Sequence, residues 1–305
     1  MARNGIHIEI RGTVQGVGYR PWVYQMAQRI GVAGRVWNDS AGVSVDAFGD
    51  LESLDRFVAV IEGGSPPSAA LVRSITYSTL AADGPATFEI ADSTTSTERL
   101  VSVPADLATC PDCLRELLDP ADRRYRYPFI NCTNCGPRYS IVTGAPYDRA
   151  RTSMAPFTMC EACRREYDSP NDRRFHAQPN ACPDCGPRLV AMTARRRPVD
   201  TNDPIHFAAR SLHAGFIVAI KGLGGFHLAC DATSASAVRR LRERKRHEAK
   251  PLAIMVRDLA EAERVGELTE RERALLTSIE RPIVLVRRRP DSNVCGGEIP
   301  LVGLF

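Results

Sequence analysis

Polar and apolar positions alternate along His7-Ile8-Glu9-Ile10-Arg11-Gly12-Thr13-Val14, which predicts a half-buried β-strand. A helical spacing of apolar residues opens at Pro21 and runs to Ile30, with Gly31 as its stop signal. Gly34 to Trp37 and Val43 to Phe48 predict two strands joined across the turn-rich Asn38-Asp39-Ser40-Ala41-Gly42. Leu51 to Ile61 predicts a second helix, ended by Gly63-Gly64. Ser74 to Tyr77 and Thr87 to Ile90 supply late strands. The order β-α-β-β-α-β over residues 1–92 is the ferredoxin-like split arrangement.

Long periodicity fades over residues 93–193, which are rich in Pro and Arg. Such a region is expected to be held by metal rather than by a large apolar core. Residues 194–200 read as a linker. From Asp203 a helical segment leads to a buried apolar strand, Phe216 to Ile220, then a glycine loop, a basic helix (Ala235 to Lys245) and a strand (Leu252 to Val256). That is α/β order, and the apolar end from Ile299 to Phe305 lacks a closing helix, so residues 200–305 read as the N-terminal part of a truncated domain. The expected fold class is α+β and multidomain.

The composition narrows this picture. The chain has 305 residues, 44% hydrophobic and 25% charged, as in ordinary globular proteins. No apolar run reaches the roughly 20 residues of a membrane span, and no signal-peptide core opens the chain. No membrane association and a cytoplasmic location are expected. The net charge of +4 is too mild to imply nucleic acid as a partner.

Ten cysteines carry more information. Eight fall in C-x2-C-x18-C-x2-C, 24 residues, then C-x2-C-x18-C-x2-C: Cys110, Cys113, Cys132 and Cys135, then Cys160, Cys163, Cys182 and Cys185. Pro120, Asp122, Arg123, Arg124, Gly136, Pro137 and Arg138 recur 50 positions later, so residues near 110–138 and 160–188 are an internal duplication. Four thiolates suit a closed structural Zn²⁺ site. Disulfides do not fit a reducing compartment, and iron–sulfur ligation fits even C-x-x-C pairs less well. Pairing within each repeat is simplest, and an interleaved pairing stays open. The glycines after Cys135 and Cys185 suit turns that aim N–H groups at sulfur. Removing the metal is expected to unfold this region and leave residues 1–92 folded. Cys230 and Cys295 read as packing residues.

Arg11-Gly12-Thr13-Val14-Gln15-Gly16-Val17-Gly18-Tyr19-Arg20 lies between a strand and a helix. Glycines there let backbone N–H groups converge on an anion, and Arg20 can offer a planar fork to phosphate oxygens. Together with Gly34-Arg35-Val36-Trp37-Asn38, this stretch resembles the acylphosphatase signature R-G-x-V-Q-G-V-G-[FY]-R followed by G-x-V-x-N. The resemblance implies that Arg20 binds an acyl phosphate, that the backbone of Gln15, Gly16, Val17, Gly18 and Tyr19 completes the cradle, and that Asn38 orients the attacking water.

Further on, Ala219-Ile220-Lys221-Gly222-Leu223-Gly224-Gly225-Phe226-His227-Leu228-Ala229-Cys230-Asp231 and Arg242-Glu243-Arg244-Lys245-Arg246-His247-Glu248-Ala249-Lys250-Pro251-Leu252-Ala253-Ile254-Met255 resemble the YrdC family. His247 departs from that pattern, which has Arg there, and Arg246 stands beside it. The resemblance implies an ATP- and carbamoyl-binding pocket using Lys221, His227, Lys245, Arg246 and Lys250. The whole series resembles the HypF family of carbamoyltransferases in [NiFe]-hydrogenase maturation. That implies carbamoyl phosphate as substrate, ATP with Mg²⁺ to form a carbamoyl-adenylate, two structural Zn²⁺ ions, and a HypE-like acceptor whose C-terminal cysteine receives the group. A final transfer domain of that family is expected to lie outside this chain. An RNA-directed YrdC-type (threonylcarbamoyl-tRNA) enzyme and a stand-alone acylphosphatase with a zinc docking module are the alternatives.

Overall fold

Alternation in the first strand decides which side chains reach the amino-terminal core. A computed structural model describes residues 3–94, 103–246, 250–295 and 300–305. In β1 (Asn4–Thr13), Ile8 and Ile10 are buried while His7, Glu9 and Arg11 take the other face. α1 (Tyr19–Ile30) follows, and begins two residues before Pro21, whose missing N–H costs nothing in a first turn. Gly31 ends it in the left-handed conformation at φ +85°. β2 (Ala33–Asn38), β3 (Gly42–Gly49), α2 (Leu51–Gly63), β4 (Leu71–Leu80) and β5 (Phe88–Ile90) complete this part. The sheet order is β4-β1-β3-β2-β5. β5 pairs parallel with β2, so the two expected late strands, β4 and β5, form the two edges of the sheet. Val23 and Ala27 of α1 and Leu54, Phe57 and Ile61 of α2 pack on Ile8, Ile10, Val36 and Val45. Each fully buried aliphatic or aromatic side chain contributes about 1.5–3 kcal/mol of transfer free energy.

The cysteine region holds two short helices that the sequence pattern did not reveal, α3 (Pro111–Leu118) and α4 (Glu161–Asp168). Eight residues are too few to display a period. Each starts directly after a cysteine, Cys110 or Cys160. The apolar cluster around the first cysteine set is small: Tyr127, Ile130, Ile141, Met154 and Ala181. The described residues up to Pro187 form one compact unit that includes both the sheet and the cysteine repeats.

The second unit starts at Arg188. The expected linker is a tight turn, with Met192 bridged to Pro198. α5 (Pro204–His213) is capped by Asp203, whose carboxylate accepts from the His206 N–H at 2.9 Å. β6 (Val218–Lys221) and β7 (Phe226–Ala229) form a hairpin. α6 (Ala235–Lys245), β8 (Ala253–Ile254), α7 (Leu259–Val265), β9 (Gly266–Glu267), α8 (Glu270–Thr277), β10 (Val284–Arg288) and β11 (Leu301–Leu304) follow. The second sheet has the order β8-β11-β10-β9, and its core is Val265, Leu276, Val284, Val286, Val302 and Leu304. The expectation of a buried strand at Phe216 to Ile220 does not hold. Phe216 is 65% exposed and Ile220 41%, because β6 pairs only with β7 among the described residues.

Candidate functional site

Two left-handed glycines shape the loop between β1 and α1: Gly16 at φ +71° and Gly18 at φ +80°. Gly18 is the N-cap of α1 and carries no side-chain cap. The Trp22 N–H already bonds the Gly18 carbonyl and Pro21 has no N–H, so this helix start offers the N–H groups of Tyr19 and Arg20, at the end of the helix that favours anions. Gln15, almost fully buried, ties this loop to the β2–β3 turn: its amide donates to the carbonyls of Asp39 at 2.7 Å and Gly42 at 2.6 Å. The turn itself is organised by the Asp39 carboxylate, which accepts from the N–H groups of Ala41 and Gly42, from Ser44 Oγ and from Arg11. Burial would raise this carboxyl, yet Ser44, the Ala41 N–H and Arg11 hold it below its ordinary value.

That turn places Asn38, fully buried, beside Arg20, which is 8% exposed. Arg20 Nη2 donates to Asp148 Oδ1 at 3.0 Å and to the Tyr147 carbonyl at 3.5 Å, and Nη1 donates to Ser93 Oγ at 3.4 Å. Asn38 Nδ2 donates to the same Tyr147 carbonyl at 3.3 Å, while its buried Oδ1 has no partner among the described residues. The Tyr147 N–H donates to Gln15 Oε1 at 3.0 Å. A cavity of about 30 Å³ lies here, lined by Gly16, Gly18 and Arg20 on one side and by Arg138, Tyr147 and His176 on the other. A second, of about 370 Å³, shares Arg20, His176 and Gln178 and adds Ser93, Asp148 and Tyr167.

Sequence reasoning missed the residues of the cysteine region that face this loop. Arg138 is 2% exposed, and its guanidinium donates to the carbonyls of Gly16, Cys132, Thr133, Cys135 and Pro137. Its recurrence as Arg188 was the one available signal. Burial, and then the nearby Arg20 charge, push His176 down to about 4, so its ring is neutral at pH 7.

The eight paired cysteines gather within their own repeats, which settles the pairing left open by spacing. Cys110, Cys113, Cys132 and Cys135 form one set and Cys160, Cys163, Cys182 and Cys185 the other, with all sulfurs of a set within 4.8 Å. The closest Sγ–Sγ separations are 3.7–3.8 Å. A tetrahedron with Zn–S of about 2.3 Å has an edge of about 3.8 Å, so both sets fit the ion. The glycines' own N–H groups go elsewhere in these turns, Gly136 to the Leu107 carbonyl and Gly186 to the Cys182 carbonyl. Their role is steric, since a Cβ on Gly136 would lie 2.6 Å from Asn131 Cβ. The Asn134 N–H reaches Cys132 Sγ at 3.3 Å instead. Arginines from the opposite repeat complete the surroundings. Arg123 donates to Cys163 and Glu166, Arg124 to Glu166, Arg173 to Cys113 and Glu116, and Arg174 to Glu116.

In the second unit, Lys221 and His227 face each other's strands across the hairpin, with Lys221 Nζ 5.2 Å from the Phe226 ring centroid. Lys245 ends α6 and Arg246 caps it in the left-handed conformation. Lys250 is drawn to that end by Arg242, which donates to its carbonyl at 2.9 Å. Among the described residues no hydrogen bond or ion pair joins Lys221 or His227 to Lys245, Arg246 or Lys250. His247 lies outside the described residues.

The acylphosphatase family model matches residues 6–90, the HypF finger model matches 109–142 and 159–192, and the Sua5/YciO/YrdC model, described as telomere recombination, matches 210–303. The carbamoyltransferase HypF2 of Cupriavidus necator is 54% identical over 288 residues, 93% of this chain and 35% of that one. The chain belongs to the HypF family. The carbamoyltransferase HypF of Synechocystis is 46% identical over 305 residues, 98% of this chain and 39% of that one. A crystal structure of full-length HypF, in a phosphate- and nucleotide-bound form, superposes with a TM-score of 0.91 at 42% identity, covering 100% of this chain and 40% of that one. The chain thus spans 35–40% of the length of these HypF relatives. No helix among its described residues is long and apolar enough to cross a membrane.

Proposed function

We propose that this chain hydrolyses carbamoyl phosphate and activates the released carbamate with ATP, two steps of a HypF-type carbamoyl transfer. In the first step the oxygen of water attacks phosphorus, the P–O bond to the acyl group breaks, and inorganic phosphate and carbamate leave. A mixed anhydride is already activated, so placing charge and water suffices without a covalent nucleophile. Arg20 and the N–H groups of the Gln15–Tyr19 loop take the phosphoryl oxygens, and Asn38 orients the water. The observation that carries this reading is the buried Asn38 Oδ1 without a partner, next to Arg20 and an uncapped helix start. A water proton is the natural donor to that oxygen.

In the second step a carbamate oxygen attacks the α-phosphorus of Mg²⁺-bound ATP, giving carbamoyl-adenylate and pyrophosphate. Lys221, His227, Lys245, Arg246 and Lys250 are assigned to that pocket. Support comes from the Sua5/YciO/YrdC match and from cations gathered at the C-terminal end of α6, where the helix dipole favours them. A HypE-like protein with a C-terminal cysteine is the proposed acceptor of the carbamoyl group. Zn²⁺ ions in the two cysteine sets would hold structure, since four thiolates leave no position open for substrate. The test is phosphate release from carbamoyl phosphate. Wild type turns over, and Arg20→Ala and Asn38→Ala each fall by about 100-fold. Equal rates in wild type and variants overturn the assignment.

A further inference from the structure

We infer that Tyr147 and Asp148 are positioning residues of the acyl-phosphate site: the chain between the two cysteine repeats sets the aim of Arg20 and Asn38. The inference rests on the acylphosphatase reading above. The acylphosphatase model ends at residue 90, so neither residue belongs to that fold. Yet this two-residue stretch touches all three polar side chains of the cradle. The Tyr147 carbonyl can only accept, so it takes the N–H end of the Asn38 amide and leaves Oδ1 as the free, buried acceptor. Without that carbonyl the two ends of the amide could exchange. The Asp148 carboxylate holds Arg20 Nη2 at 3.0 Å and so fixes the plane of a long side chain that otherwise samples many rotamers. Gln15 Oε1 takes the Tyr147 N–H and registers the stretch against the loop that binds the anion.

The stretch is in turn held from behind by the second repeat. The Arg149 N–H donates to Gln178 Oε1 at 2.7 Å, and Arg149 Nη1 to the carbonyls of Gln178 at 2.7 Å and Asn180 at 2.9 Å. Gln178 stands where the first repeat has Pro128, His176 where it has Arg126, and Tyr167 where it has Leu117. All three line the cavity that Arg20 and Asp148 share. The second repeat keeps the cysteines of the first and its Arg123, Arg124 and Arg138, as Arg173, Arg174 and Arg188, and differs at these positions facing the cradle.

The test uses the full chain with Asp148→Ala and Asp148→Asn. Readouts are kcat and KM for carbamoyl phosphate, the Kd of inorganic phosphate by calorimetry, and zinc content. Asp148→Ala lowers kcat at least about tenfold, while phosphate binds within about threefold of wild type or tighter, because a neighbouring negative charge is gone, and zinc content is unchanged. Asp148→Asn keeps an acceptor for Nη2 and recovers kcat to within about threefold of wild type. An unchanged kcat in Asp148→Ala overturns the inference. So does a parallel loss of phosphate affinity and zinc, which marks a purely structural role. Wild type inactive on every acyl phosphate tried is a different result: it brings down the acylphosphatase reading, and this inference with it.

Discussion

Arg123 in the first cysteine repeat donates to Cys163 Sγ in the second at 3.1 Å, and Arg173 in the second returns the contact to Cys113 Sγ at 3.1 Å. Each set of thiols therefore receives a guanidinium from the other repeat. Donors to a ligating sulfur stabilise its thiolate form and orient it. The two metal sites are expected to be coupled. Cys163→Ser should lower zinc content by more than one ion per chain, measured by atomic emission after gel filtration. Loss of a single ion, with the other site at full occupancy, would refute the coupling.

Arg124 is buried and bonded to Glu166, to Asn180 Oδ1 and to the Ala181 carbonyl. Arg124→Met keeps most of the volume, leaves the Glu166 carboxylate to Arg123 alone, and removes the donor to buried Asn180 Oδ1 and to the Ala181 carbonyl. The expected loss is about 3 kcal/mol, read from the midpoint of urea unfolding. A shift equivalent to less than about 1 kcal/mol would show that Arg123 alone satisfies Glu166.

Gly18→Ala tests the cradle backbone. A Cβ there has room, its nearest neighbour being Thr133 Cβ at 3.5 Å. The cost is then the left-handed conformation alone, about 1–2 kcal/mol. If the loop relaxes to relieve it, carbamoyl phosphate hydrolysis falls further than stability does. Unaltered kcat/KM in this variant would argue against the loop as the phosphate seat.

Acid sensitivity follows from His176 and Glu166. His176 binds a proton near 6.5 when unfolded and near 4 when folded, so its contribution is complete above 6.5 and is lost as pH falls towards 4. Burial would raise Glu166, but Arg124 and Arg123 hold it at about 2. Its contribution is complete above about 4.5 and is lost as pH falls through 2. Between pH 7 and 4.5 the urea midpoint of wild type should fall more steeply than that of His176→Gln. Parallel curves would remove His176 from the explanation.

Legibility varied with range. The β1, β2 and β3 alternation and the stop at Gly31 were readable because side-chain period and glycine conformation are local properties. The α3 and α4 helices were not, being too short for a period and stabilised by the cysteine sets. The strand at Phe216 to Ile220 read as buried on its apolar content, but burial depends on what packs against a strand, and only β7 pairs with it among the described residues.

Alone, the sequence determined the two sets of four thiols, the glycine loop before α1 and the cationic segments around α6, since each is a matter of residue type at short spacing. Only the tertiary structure decided that Asp148 lies against Arg20, 128 positions away, that the Tyr147 carbonyl takes the Asn38 amide, 109 positions away, and that the arginines of each repeat serve the other's sulfurs. Hydrogen bonds between side chains so far apart have no period. They exist only once packing of the core and the cysteine sets brings those segments together.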